Sequence, residues 1–138
     1  MLLLDTNVIS EVRKASCDAN VRAWMIKQAT DTLYICAITV LEIQRGIGLA
    51  AQRGDAAQAA VFTQWFESQV LPAFNGRILP VDHLVARKAA QLPWPDPRDY
   101  RDALIAATGL VHGATVVTRN VRHFEACGVP LLNPWTQP

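Results

Sequence analysis

Nowhere in the 138 residues do roughly 18 apolar side chains follow one another, the length needed to cross a bilayer, so no segment reads as a membrane span. Cysteine is limited to Cys17, Cys36 and Cys127, an odd number, far apart and without a CxxC pair. That argues against a disulfide framework or a thiolate zinc site and fits reduced thiols in a cytoplasmic protein. Charge of one sign is also missing. Lys and Arg number 13 against 12 Asp and Glu, a net charge of +1, and no long basic tract is present. Non-specific grip on a polyanion is therefore not available, and any such site must be local. The apolar opening Met1-Leu2-Leu3-Leu4 has no basic region before it and is interrupted by Asp5 and Asn7, so it is not expected to act as a signal peptide.

What is present is material for a core. The chain is 51% hydrophobic, with a mean hydropathy of +0.13, and its length suits one domain over residues 1–138. Changes of period predict the layout. Residues 2–4 read as a buried strand and 6–12 as a short helix. Val21, Trp24, Met25 and Gln28 mark a one-faced helix, and 33–36 a strand. Thr39 is expected to cap a helix running through Gly46 toward Ala51. A helix over 55–71 carries Phe62, Trp65 and Phe66 as core or dimer surface, and Pro72 is expected to end it. After the Asn75-Gly76 turn, 77–81 reads as an edge-like strand containing Pro80. A helix over 82–92 stops at Pro93-Trp94-Pro95-Asp96-Pro97. The helix over 99–112 is closed by Gly113. A strand at 115–118, a helix at 121–126 and a strand at 129–132 complete the chain. Short strands alternating with helices predict a three-layer α/β/α domain with a central, mostly parallel sheet.

Asp5, Glu42, Asp102 and Asn120 each fall where a predicted strand gives way to a helix or in a helix's first turn. The carboxyl ends of parallel strands share one sheet edge, so these four side chains are expected to meet there. Three carboxylates and an amide together repel unless a cation is present, which points to a divalent metal. Each position also has a local reading. Thr39 and Glu42 have capping-box spacing, Asp102 stands three residues after the N-cap candidate Asp99, and Asn120 can cap the next helix. Asp5 is the exception, because a carboxylate at the end of an all-Leu strand is costly to desolvate unpaired.

These residues also carry a family resemblance. Leu3-Leu4-Asp5-Thr6-Asn7-Val8-Ile9-Ser10-Glu11 resembles the opening of PIN-domain proteins. Ala37-Ile38-Thr39-Val40-Leu41-Glu42 resembles their second motif, Asp102-Ala103-Leu104-Ile105-Ala106-Ala107-Thr108-Gly109 the third, and Val116-Val117-Thr118-Arg119-Asn120 the fourth. The ending Val129-Pro130-Leu131-Leu132-Asn133-Pro134-Trp135 is similar to that of the VapC and FitB-like toxins. The resemblance spans essentially the whole chain. It implies an Mg²⁺- or Mn²⁺-dependent endoribonuclease, a homodimer silenced by a cognate antitoxin, with operator DNA bound only through the antitoxin complex. Asp5, Glu42 and Asp102 match the family's core acids, and Asn120 stands where many members place an Asp.

Phosphodiester hydrolysis needs an activated water and neutralised phosphoryl charge, and a hard divalent ion on oxygen ligands supplies both. Asp5 and Asp102 are assigned as direct ligands, Glu42 as a ligand through water or orienter of the attacking water, and Asn120 as an outer ligand or water positioner. Thr6, Asn7, Thr39 and Thr118 are the candidates to hold those side chains in place. Arg13, Arg45, Arg98, Arg119 and Arg122 lie near the acidic motifs in sequence and are the candidates for gripping RNA, the other reading being solvated surface charge. Trp94 is a candidate to stack on an unpaired base, or else a packing plug. His112 and His123 read as helix-end residues. Two rival functions share the acidic cluster. Another phosphoesterase or a DNA nuclease is one, although an aspartyl-phosphate enzyme wants an acid where Asn7 stands. A non-catalytic metal-binding interaction module is the other, although a receiver wants Lys where Arg119 stands.

Overall fold

Leu3 and Leu4, adjacent on one strand, are both fully buried but belong to different apolar clusters. Successive strand side chains point to opposite faces, so this strand is covered on both sides. The computed structural model describes residues 1–94, 96 and 98–136. Five strands, β1 (Leu2–Leu4), β2 (Leu33–Cys36), β3 (Ile78–Leu79), β4 (Thr115–Val117) and β5 (Leu131–Leu132), form a sheet in the order β3-β2-β1-β4-β5. Every pairing among them is parallel. Helices α1 (Thr6–Val12), α2 (Ala19–Lys27), α3 (Ala37–Gln52) and α4 (Ala56–Trp65) pack mainly with Leu4, Ile35 and Val117. Helices α7 (Tyr100–His112) and α8 (Val121–Phe124) lie with Leu3, Cys36 and Val116 on the other face, with α6 (His83–Gln91) packed against α7. The three-layer arrangement expected from the alternation of elements is the one observed.

Strand order makes the sheet reverse direction at β1. The chain adds β2 and β3 on one side, then crosses to add β4 and β5 on the other. A crevice therefore opens outside the carboxyl ends of β1 and β4, the place where ligands sit in open parallel sheets.

Several boundaries depart from the sequence expectation. Thr39 does not cap α3. Cys36 does, its Sγ accepting the Ile38 N–H at 3.4 Å, and Thr39 lies fully buried in the first turn of the helix. Pro72 does not end the helix from Ala56: a wider π turn, Phe66–Val70, leads into α5 (Leu71–Ala73), which contains Pro72. A proline in a helix interior lacks an N–H and strikes the carbonyl four residues back, and the extra residue in a π turn shifts that register. The expected strand over 77–81 shrinks to Ile78–Leu79, because Pro80 has no N–H to continue the ladder. The expected helix over 121–126 tightens into a 3₁₀ turn at Glu125–Cys127, and the last strand spans Leu131–Leu132 alone. Gly113 closes α7 with φ +67°, as its position predicted. Of the Pro-rich stretch after α6, Pro95 and Pro97 lie outside the described residues.

Candidate active site

Asp5 ends β1 and is the N-cap of α1, its Oδ1 accepting the Thr6 N–H at 2.7 Å. Its Oδ2 accepts the Thr118 hydroxyl at 2.8 Å and the Asn7 amide at 3.3 Å. The carboxylate is 4% exposed, and each of these donors is neutral. Thr118, also fully buried, ties the two central strands together. Its hydroxyl donates to Asp5 and accepts the Asn120 N–H at 3.0 Å. Thr6 donates to Glu42 Oε1 at 2.9 Å, and its hydroxyl lies 3.1 Å from that of Thr39. The four small polar residues singled out from the sequence thus form the scaffold that holds Asp5 and Glu42.

Asp5, Glu42, Asp102 and Asn120 line one cavity of about 420 Å³ outside the ends of β1 and β4. Asn120 stands at the N-cap of α8 without a capping side-chain bond, and Asp99 does the same at α7. The capping explanation of these positions therefore does not account for their side chains. Burial is the main cause that raises the pKa of all three acids, with the neighbouring carboxylates adding to it at each. Asp5 is pushed up to about 6, against the pull of the Thr118 hydroxyl. At Glu42 the Thr6 hydroxyl and Arg101 work against the rise, and at Asp102 His123 does so.

The donor set fits a hard divalent cation: all are oxygen atoms, and the most buried of them, on Asp5, meet only neutral hydrogen bonds. As they stand, no three His, Cys, Asp or Glu side chains among the described residues form a group able to hold an ion by themselves. Water would have to complete the shell of any ion bound there.

Sequence proximity missed several groups in this cavity. Arg101 reaches Glu42 Oε2 with its guanidinium at 3.8 Å. Asp99 and Ser10 line the wall, and His123 Nδ1 approaches Asp102 Oδ2 at 3.7 Å. Ser10, one helical turn after Thr6, and Asp99, one turn before Asp102, had a readable signal in their spacing. The predicted arginines scatter. Arg119 and Arg122 line a second cavity of about 520 Å³ that meets the acidic one at Asn120, with Arg119 over the Trp135 ring at 5.3 Å. Arg13 stacks instead on Phe62 at 4.5 Å and Trp65 at 5.7 Å, in an apolar groove beside the acids. Arg45 is exposed on α3. Arg98 is clasped by Asp96 at 3.0 and 3.1 Å, which uses the fork that a phosphate needs. Trp94 packs edge-on against the buried Phe124 at 5.6 Å, so it is a packing plug.

Residues 2–129 match the family profile of the PIN domain. The chain belongs to the PIN-domain family. This PIN domain is 42% identical over 140 residues to VapC ribonuclease Y4jK of Sinorhizobium fredii, covering 98% of each chain. It is 37% identical over 145 residues to toxin FitB of Neisseria gonorrhoeae, covering 98% of this chain and 99% of FitB. Among solved structures it matches FitAcB from N. gonorrhoeae with a TM-score of 0.87 and 37% identity, over 99% of this chain and 100% of the other. A structure of FitAB bound to an IR36 DNA fragment matches with a TM-score of 0.88 and 36% identity, over 100% and 98%. The PIN domain thus stands with the VapC and FitB-like toxins, metal-dependent endoribonucleases of type II toxin–antitoxin systems. Among its described residues no helix is long and apolar enough to cross a membrane.

Proposed function

We propose that residues 1–138 form one PIN-like nuclease domain, a cytoplasmic toxin that hydrolyses RNA with Mg²⁺ or, alternatively, Mn²⁺. The observation that carries this reading is the convergence of Asp5, Glu42 and Asp102 on one cavity, with Asp5 buried and met only by neutral donors. A bound divalent ion supplies an acidified water and neutralises phosphoryl charge. Asp5 and Asp102 would hold it directly. Glu42, anchored by Thr6, would bind it through water or orient the attacking water. Asn120 positions water at the opposite wall and adds no charge, so one ion suits the site better than two. Thr118 and Asn7 keep Asp5 from turning away. Arg119 and Arg122 take the RNA backbone where their cavity joins the acidic one.

The partner is an antitoxin, and operator DNA is engaged through that complex. The groove of about 150 Å³ lined by Ile43, Ile47, Phe62, Trp65 and Arg13 shares Thr6, Ser10 and Glu42 with the acidic cavity. An antitoxin segment laid in it reaches the carboxylates with an Arg or Lys and competes there with the metal.

Incubation of the purified protein with single-stranded RNA tests the activity. Cleavage should require Mg²⁺ or Mn²⁺, stop in chelator, and disappear in D5N and D102N that retain native circular dichroism. Full activity in D5N would remove the assignment of the site.

A further inference from the structure

The acidic cavity continues past its acids. Asp99 belongs both to it and to a crevice of about 190 Å³ between α6 and α7, whose walls include Leu92, Trp94 and Tyr100. The two aromatics differ. Trp94 is committed to the core through Phe124, whereas Tyr100, the first residue of α7, is 70% exposed. The next residue, Arg101, turns into the acidic cavity, where it is the only cation among the described lining residues. Its single contact there, 3.8 Å to Glu42, leaves it half exposed and its fork largely unused. The crevice thus presents the Tyr100 ring, and the acidic cavity the Arg101 guanidinium and the Asp102 carboxylate, the two meeting at Asp99. A nucleotide offers the complementary series of base, phosphate and reacting bond.

Resting on the ribonuclease reading above, we propose that the first turn of α7 is the subsite for the nucleotide beside the scissile bond. The Tyr100 ring stacks on its unpaired base, and Arg101 exchanges its long contact with Glu42 for two phosphate oxygens. The cationic cavity of Arg119 and Arg122 meets the acids at Asn120, whereas the Tyr100 crevice meets them at Asp99. The RNA thus runs from a side that holds backbone to a side that holds a base. Preference for single strands follows, since a paired base is stacked within its own helix and unavailable to Tyr100.

An oligonucleotide with one cleavage site, prepared as a series with each flanking base removed in turn, tests this subsite. In the wild type, loss of one base next to the cleaved bond should lower kcat/KM by about 5- to 150-fold, the range that base–aromatic stacking supplies. Y100A should lose a similar factor on intact RNA and become indifferent to that one abasic position, while Y100F behaves as wild type. R101Q should lower kcat/KM on every substrate of the series and flatten its salt dependence. The subsite is overturned if Y100A cleaves intact RNA like the wild type or stays as sensitive to the missing base. A wild type that cleaves no RNA overturns the ribonuclease reading first. Because Tyr100 is exposed, neither Tyr100 variant puts folding at risk.

Discussion

At the scale of the residue, Asp5 is a carboxylate whose surroundings favour its neutral form. Burial raises its pKa from 3.8 to about 6, so between those values the folded chain binds more protons than the unfolded one. Stability from this group is therefore greatest below pH 4 and falls as pH rises through 6. The two-unit rise corresponds to roughly 3 kcal/mol at the limit. In chelator, the wild-type Tm should drop across this window more steeply than that of D5N, and at pH 7 Mg²⁺ should raise it in the wild type alone. Identical pH profiles for the two proteins would show that Asp5 carries no such strain. D5N should recover only part of the 3 kcal/mol limit, because Thr118 and Asn7 both point donors at Oδ2, where an amide nitrogen can accept neither. Sequence alone showed that Asp5 must be expensive to bury. It did not show that the Thr118 hydroxyl just beyond β4 and the Asn7 amide of α1 would meet it, since Thr118 is 113 positions away.

At the scale of the element, α7 must lie close to the sheet for Asp102 to reach the end of β1, and Gly109 permits it. A Cβ there would stand 3.0 Å from methyl groups of both Val116 and Val129, two buried side chains with little room to retreat. G109A should lose about 1–2 kcal/mol in urea unfolding, the overpacking outweighing the gain of about 1 kcal/mol in helix propensity. Gly48 in α3 is the control, because nothing lies within 4 Å of its would-be Cβ. G48A should gain about 0.5–1 kcal/mol. A stabilised G109A would mean that α7 does not press on β4 as described. Both glycines sit in helical sequence, and no local pattern separates them. Only the distance to the sheet does.

At the scale of the whole molecule, large side chains remain in water. Phe62, Trp65 and Phe66, read from the sequence as core or dimer surface, pack into the core, and Ile26, Val61, Leu84 and Leu41 are the residues left between 48% and 77% exposed; we propose that a second copy of the chain covers part of this surface. Light scattering at micromolar concentration should give about twice 15.2 kDa, and a monomer mass would withdraw the dimer. The toxin reading makes a cellular prediction as well. Expression of this chain alone should arrest growth, and co-expression of the adjacent small reading frame, or the D5N change, should relieve the arrest. Normal growth under strong expression, with the pulled-down RNA intact, would favour a DNA nuclease or a metal-binding module.

What the sequence determined by itself was local and periodic: which segments are strands, which are helices, and that Asp5, Glu42, Asp102 and Asn120 stand at their junctions. Such patterns depend on neighbours within one turn or one pleat, and the four motifs in order carried the family. The tertiary structure decided which of the nearby charges are free to act. Arg101 reaches Glu42 and His123 reaches Asp102 from distant parts of the chain, whereas Arg13, near Asp5 in sequence, stacks on Phe62 and Trp65. Thr39 has the spacing of a cap, but Cys36 begins the helix and leaves Thr39 to face Thr6. Those outcomes depend on crossovers that bring β1 between β2 and β4, and on the direction in which each helix leaves its strand. Neither is encoded within the reach of a local pattern, because both arise from packing two helical layers on one twisted sheet.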